Sequence, residues 1–267
     1  MNPIRSRDNP QYKLLNKLAT SSRERRQSKM TLLDGEKLIV SYRDTAQTAH
    51  ILAISETAYA ESEQRALFEE VSADNRLLIT DQLLKAVSQV VTTTGLIAIV
   101  RIPEPASWPD NPGTCLLLED IQDPGNLGTL LRTSAAAGVK HIALSKGCAS
   151  AWAPKVLRAG MGANFLLHIH ESADLVEIAR GFKGKTIATQ PRAEKTLYAA
   201  DLSEPVAWLF GNEGAGLSGE LLQTSTEKVR VPMSGATESM NITAAAAVCL
   251  FEQLRQISVK KYGVNFQ

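Results

Sequence analysis

The chain reads as an α/β protein built on a mostly parallel sheet, preceded by a smaller α/β unit. Strand-like apolar runs alternate with helix-length segments through roughly the last 150 residues, and a proline-rich tract separates them from what comes before. Three glycine-bearing loops each follow such a run and open a plausible helix. Repeated strand–helix alternation implies a parallel sheet covered on both faces. Such a sheet binds its ligand outside the carboxyl ends of the strands, where these loops would lie.

Taken in order, 9–18 reads as a helix, 38–40 with 49–54 as a helix and then a strand, and 63–71 as a helix. A strand at 76–80, a helix at 81–90 and a strand at 96–100 complete the first unit. Segment 101–113 carries Pro103, Pro105, Pro109 and Pro112, which preclude regular structure and favour a stiff, extended connector. Beyond it, strands are expected at 115–121, 142–144, 165–169, 185–188, 206–210 and 228–231. Helices fit between most of them, including 127–137, and an alanine-rich helix should run from about 241 to 259. The expected division is a first domain at 1–100, a linker at 101–113 and a second domain at 114–267.

Bulk properties narrow the function classes. A length of 267 residues with 44% hydrophobic and 21% charged content suits a soluble globular protein of two ordinary domains or one large one. A net charge of +1 neither demands nor excludes nucleic acid, so distribution matters more. The first thirty residues hold Arg5, Arg7, Lys13, Lys17, Arg23, Arg25, Arg26 and Lys29 against Asp8 and Glu24. No apolar run reaches the ~18 residues of a membrane span, and no apolar stretch follows the basic N-terminus as in a secretory signal. Cys115, Cys148 and Cys249 are too scattered for a disulfide framework or a zinc set. Buried thiols in a reducing cytoplasm are expected, with no metal.

In the first loop, 123–132, Asn126 taken by itself reads as a helix N-cap. Leu127, Leu130, Leu131 and Ser134 form the stripe that should face the sheet, whereas Gly128, Arg132 and Ala136 share another face. A permanently charged, fork-shaped Arg132 one turn after a glycine suits phosphate recognition. In the second loop, Gly214, Gly216 and Gly219 match the dinucleotide pattern G-x-G-x-x-G. The match fails in context, because no acidic residue ends the next strand and too little chain remains for a dinucleotide domain. Gly211 would let main chain approach a ligand edge, and Glu213 sets a carboxylate beside it or bonds loop amides at a helix end. In the third loop, 231–241, Ser239 or Asn241 is expected to cap the alanine-rich helix.

Together the three loops resemble the signature motifs of the SpoU/TrmH family of RNA ribose 2'-O-methyltransferases, over about residues 114–257. Asn126 and Arg132 match the first motif, and Gly211, Glu213 and Gly216 the second. Pro232, Met233, Glu238, Ser239 and Asn241 match the third. Segment 155–162 is similar to the family's helix between the first two motifs. Met240 stands where the family usually has leucine, and Asn212 where it is permissive. The stretch from Arg23 to Leu38 is similar to the small ribosomal-protein-like domain that binds substrate in many members, which would set Arg23, Arg25, Arg26 and Lys29 on RNA phosphates.

The resemblance implies a SPOUT parallel sheet with a deep trefoil knot and a homodimer through the knot helices. It also implies S-adenosylmethionine held against Gly211, Val231 and Met240, with Met233 and Gly216 beside it. Arg132, Asn126, Glu213, Ser239 and Asn241 would then be the catalytic set. The family's proposed role for Arg132 is proton acceptor, but an arginine of pKa above about 12 stays charged. Pairing with an RNA phosphate and stabilising oxyanion character on the 2'-oxygen suits it better. The expected substrate is 23S ribosomal RNA. A transfer RNA, or a catalytically inactive RNA-binding protein of the same fold, are the alternatives.

Overall fold

The computed structural model describes residues 1–263 apart from Ala106, Ala236 and Glu238. The chain divides into two compact units, one of 1–104 with 152–165 and one of 105–151 with 166–267. Segment 152–165 lies in sequence inside the region expected to form the second domain, yet it packs within the first unit.

The first unit contains α1 (Pro10–Thr20), α2 (Ser22–Ser28), β1 (Met30–Asp34), α3 (Glu36–Arg43), β2 (Ala49–Ser55), α4 (Glu56–Ala60), α5 (Ser62–Glu70), β3 (Ala73–Ile79), α6 (Asp81–Val87) and β4 (Leu96–Arg101). Its strands lie in the order β1-β4-β2-β3, with β2–β3 parallel and the other pairings antiparallel. Period-two alternation turns Ile51, Ala53, Ile97 and Ile99 to one face, where Tyr12, Leu15 and Leu18 of α1 and Leu83, Leu84 and Val87 of α6 bury them. Asn9 caps α1 by accepting from the amides of Gln11 and Tyr12, as a short polar residue before Pro10 should.

The inserted segment brings a further helix, here α8 (Pro154–Gly160) in chain order. Thr31 Oγ1 donates to the Trp152 carbonyl at 2.6 Å, and Phe165 sets its ring 5.3 Å from Tyr42. Arg158 comes to 3.9 Å from the buried Asp34 carboxylate, which also accepts from Ser88 Oγ and the Gln89 amide. The strand expected at 165–169 is shorter than its apolar pattern. Residues Ala163–Leu166 make a single 3-10 turn, and the strand proper begins at His168.

The second unit supplies β5 (Cys115–Leu118), α7 (Pro124–Ala136), β6 (His141–Leu144), β7 (His168–His170), α9 (Leu175–Gly181), β8 (Lys185–Thr189), β9 (Lys195–Thr196), β10 (Val206–Phe210), α10 (Gly219–Thr224), β11 (Glu227–Arg230) and α11 (Ile242–Tyr262). Its sheet runs β7-β6-β5-β10-β8-β11-β9, and every pairing is parallel. All residues of β5 and β10 are buried, as central strands covered on both faces must be. Because β10 inserts between β5 and β8, the loops after β5 and β10 leave neighbouring carboxyl ends. Among the described residues no helix is long and apolar enough to cross a membrane.

Helix α11 is pinned by one buried amide. Trp208 Nε1 donates to Gln253 Oε1 at 2.7 Å, while Gln253 Nε2 donates to Thr114 Oγ1 and the Glu204 carbonyl at 3.0 and 3.1 Å. Gln253→Leu leaves the buried Trp208 Nε1 without its acceptor and is expected to cost about 2 kcal/mol in urea unfolding. An unchanged midpoint would show that the amide does not fix the helix.

Burial pushes the thiols of Cys115 and Cys249 up to about 12, so neither ionises near neutrality, and Cys148 is half-buried. At the edge of the same sheet the His141 and His168 rings stack at 4.8 Å, and Trp108 lies 5.0 Å from His170. Desolvation, then the neighbouring His168, hold His141 and His170 below the ordinary histidine pKa. A depressed folded-state pKa means that the unfolded chain takes up protons first as pH falls through about 6.5. Stability should therefore decline from pH 7.5 to 5.5, and His141→Gln should flatten that slope. A slope equal to wild type would contradict the assignment.

Candidate active site

The three glycine-bearing loops meet at the carboxyl ends of β5, β10 and β11. The first begins at Glu119, whose amide donates to the Phe210 carbonyl and whose Oε2 accepts from the Ser218 amide at 2.7 Å. Helix α7 then starts at Pro124 under an Asp123 cap, whose Oδ1 accepts the Asn126 amide at 2.7 Å. Asn126 is thus not the cap that its position suggested. It lies three residues inside the cap, with its side chain free for other work.

That side chain links all three loops. Asn126 Nδ2 donates to Glu213 Oε1 at 2.6 Å, and Asn126 Oδ1 accepts from Asn241 Nδ2 at 3.3 Å. Glu213 belongs to the tight turn after β10, and Asn241 caps α11 by accepting the Thr243 amide at 2.8 Å. The cap expected of Asn241 is present, with its Oδ1 accepting the Thr243 amide, while its Nδ2 reaches Asn126. Among the described residues Glu213 bonds no loop amide, and Gly214 and Ala215 donate instead to Asn212 Oδ1. These residues stand 87 and 115 positions from Asn126 in sequence.

The turn after β10 is closed by reciprocal main-chain bonds between Asn212 and Gly216, at 3.0 and 2.8 Å. Gly216 has φ of 71°, which favours glycine. At Gly211 an added Cβ would come within 2.5 Å of the Leu217 nitrogen and press into the Gly216 main chain. Gly219, the last glycine of the dinucleotide-like pattern, has open space where its Cβ would be. It makes no close approach of the kind that pattern requires.

Helix α7 buries Leu127, Leu130, Leu131 and Ser134 as its stripe foretold, and α11 packs against it. Arg132 is exposed and, among the described residues, makes no hydrogen bond or ion pair. Ser239 is exposed, Met240 is 37% exposed, and Val231 and Met233 are half-buried. Glu238 lies outside the described residues. In the first unit Arg23 and Arg26 are exposed on α2, and Lys29 pairs with Glu104. Arg25 corrects the expectation of an RNA-facing charge. It is 7% exposed, and its Nη1 donates to the Leu18 carbonyl at 2.8 Å, where it ties α2 to α1.

Residues not counted among the candidate site residues hold the loops in place. Asn212 and Glu119 have that role here, as do Asp120 and Ser145. Only the run of polar residues directly after each strand hinted at them.

Among the described residues no group of three or more histidine, cysteine or acidic side chains is placed to hold a metal ion. Residues 113–251 match the model of the SpoU rRNA Methylase family. An uncharacterised tRNA/rRNA methyltransferase of Synechocystis is 33% identical over 95% of this chain and 93% of its own length. The 23S rRNA (guanosine(2553)-2'-O)-methyltransferase of Bacillus subtilis is 28% identical over 94% and 98%. In fold, the chain is similar to the SpoU methyltransferase AviRb of Streptomyces viridochromogenes, solved in complex with AdoMet. There the TM-score is 0.83 at 22% identity, covering 93% of this chain and 98% of that one.

Proposed function

Because the chain belongs to the SpoU rRNA methylase family, we propose that it transfers a methyl group from S-adenosylmethionine to a ribose 2'-hydroxyl of RNA, with 23S ribosomal RNA as substrate. The observation that carries this reading is the hydrogen-bonded chain Glu213–Asn126–Asn241, which gathers three loops remote in sequence onto one site.

The residues fit the cofactor. Gly211 brings main chain close where no side chain could stand, while Val231, Met233 and Met240 leave apolar surface accessible for an adenosine and thioether. Gly216 closes the turn with Asn212. Bound there, the cofactor supplies an electrophilic methyl on a sulfonium, so the protein's task is alignment, proton removal and exclusion of water. Arg132, exposed on α7 and without a hydrogen bond or ion pair among the described residues, pairs with the phosphate beside the target ribose and stabilises charge on the attacking 2'-oxygen. A phosphate or water then takes the proton. Asn126 and Glu213 hold the ribose, and Ser239 and Asn241 orient the nucleotide. Such a nucleotide must be unpaired or splayed out.

Arg23, Arg26 and Lys29 supply phosphate contacts without base choice. Lys29 must first leave Glu104, a modest cost for an exposed pair. The ribosomal-protein-like character of the first unit, a deep trefoil knot in the C-terminal chain, a homodimer through the knot helices and a cytoplasmic location complete the proposal. An inactive RNA-binding protein would have no use for the Glu213–Asn126–Asn241 chain.

Mapping 2'-O-methyl positions in total RNA, with and without this protein, tests the reading. Loss of one mark in 23S ribosomal RNA is expected. Loss in a transfer RNA would move the substrate to that class, and loss nowhere would remove the activity.

A further inference from the structure

The turn that presents Glu213 is organised by its neighbour. Asn212 Nδ2 donates to the Asp120 carbonyl at 2.9 Å, and its Oδ1 accepts the amides of Gly214 and Ala215 at 2.9 and 3.0 Å. One side chain therefore folds the turn after β10 and ties it to the loop after β5, the loop that leads into Asp123 and Asn126. Asp120 is itself held in an unusual shape, with φ of 53°, a left-handed conformation tolerated by short polar residues. Ser145 keeps it there, accepting the Asp120 amide at 2.9 Å and donating to Asp120 Oδ1 at 2.7 Å. Gly147 leaves room for that carboxylate, which a Cβ would strike.

We infer that Asn212, braced by Asp120 and Ser145, is a positioning residue that sets the Glu213–Asn126 pair for methyl transfer, an inference that rests on the function proposed above. The geometry asks for asparagine. Aspartate would face the Asp120 carbonyl with an acceptor, and alanine would leave the amides of Gly214 and Ala215 without a partner.

The test compares turnover, KM for S-adenosylmethionine and melting temperature on total RNA for wild type, Asn212→Asp, Asn212→Ala, Ser145→Ala, Glu213→Ala and the Asn212→Ala/Glu213→Ala double variant. Asn212→Asp is expected to lower kcat by about 10- to 100-fold with a much smaller change in KM, as small misplacements of reacting groups do. In the Glu213→Ala background Asn212→Ala should cost under about threefold, because the group it positions is gone. Ser145→Ala, which leaves the turn's own bonds intact, should give a smaller loss of kcat and guards against misfolding of the Asn212 variants. Wild-type kcat in Asn212→Asp or in Ser145→Ala, or strict additivity in the double variant, would overturn the inference alone. A wild-type protein that methylates no RNA would overturn the proposed function and this inference with it.

Discussion

Arg132→Ala is expected to reduce methyl transfer by roughly 10²–10³-fold while leaving the melting temperature in place. The size is that expected for removing the charged donor proposed above to face developing negative charge. The unchanged stability follows from the structure, since Arg132 is exposed and unpartnered among the described residues, and the packing of α7 rests on Leu127, Leu130, Leu131 and Ser134. Arg132→Lys should recover only part of the loss, because an ammonium keeps the charge without the two-pronged donor. Near-normal turnover in the lysine variant would reject the forked-donor role and leave a simple charge effect. Affinity for S-adenosylmethionine should hold in both variants. A parallel loss of cofactor binding would assign Arg132 to the cofactor instead of the RNA.

Gly211→Ala should be comparably damaging by a different route. A Cβ at this position meets main chain at Gly216 and Leu217, which cannot rotate away as a side-chain tip could. The turn must move, taking with it Asn212, Glu213 and the surface offered to the cofactor. A displacement of about 1 Å in a catalytic constellation can cost on the order of 10²-fold in rate, and cofactor affinity should fall as well. Gly219→Ala is the matched control, because its Cβ would enter open space at the first residue of α10. Calorimetric titration with S-adenosylmethionine separates the two, with weak binding for Gly211→Ala and ordinary binding for Gly219→Ala. Equal affinities would mean that the close approach at Gly211 has no bearing on the ligand.

The sequence disclosed the second unit better than the first, for physical reasons. Central parallel strands such as Cys115–Leu118 and Val206–Phe210 are apolar on both faces and stand out as short runs between turn-forming residues. The stripe of α7 follows helical spacing and was legible residue by residue. Strand β1 escaped because Met30–Asp34 is short, follows a charged helix and is recognised only through its pairing with β4. The grouping of 152–165 with the first unit depends on contacts with Thr31, Asp34 and Tyr42, more than a hundred positions away, which no local pattern encodes.

At the site, residue types were readable but their division of labour was not. Asp123 and Asn126 both suit a helix cap, and only the folded chain shows that Asp123 takes the cap and leaves the Asn126 side chain to bond Glu213. Arg25 reads as one charge in a basic cluster until the Leu18 carbonyl is found within its reach. Asn212 stands where the family is permissive, and its bond to the main chain of a different loop is visible only in the fold.

Incubating the purified chain with deproteinised 23S ribosomal RNA and methyl-labelled S-adenosylmethionine, then digesting to nucleosides, examines the joined loops most directly. Label should emerge in a single ribose-methylated nucleoside from one position, and the same reaction with Arg132→Ala should give almost none. Label on a base, or label undiminished in the Arg132→Ala reaction, would contradict a site in which the guanidinium faces the acceptor sugar.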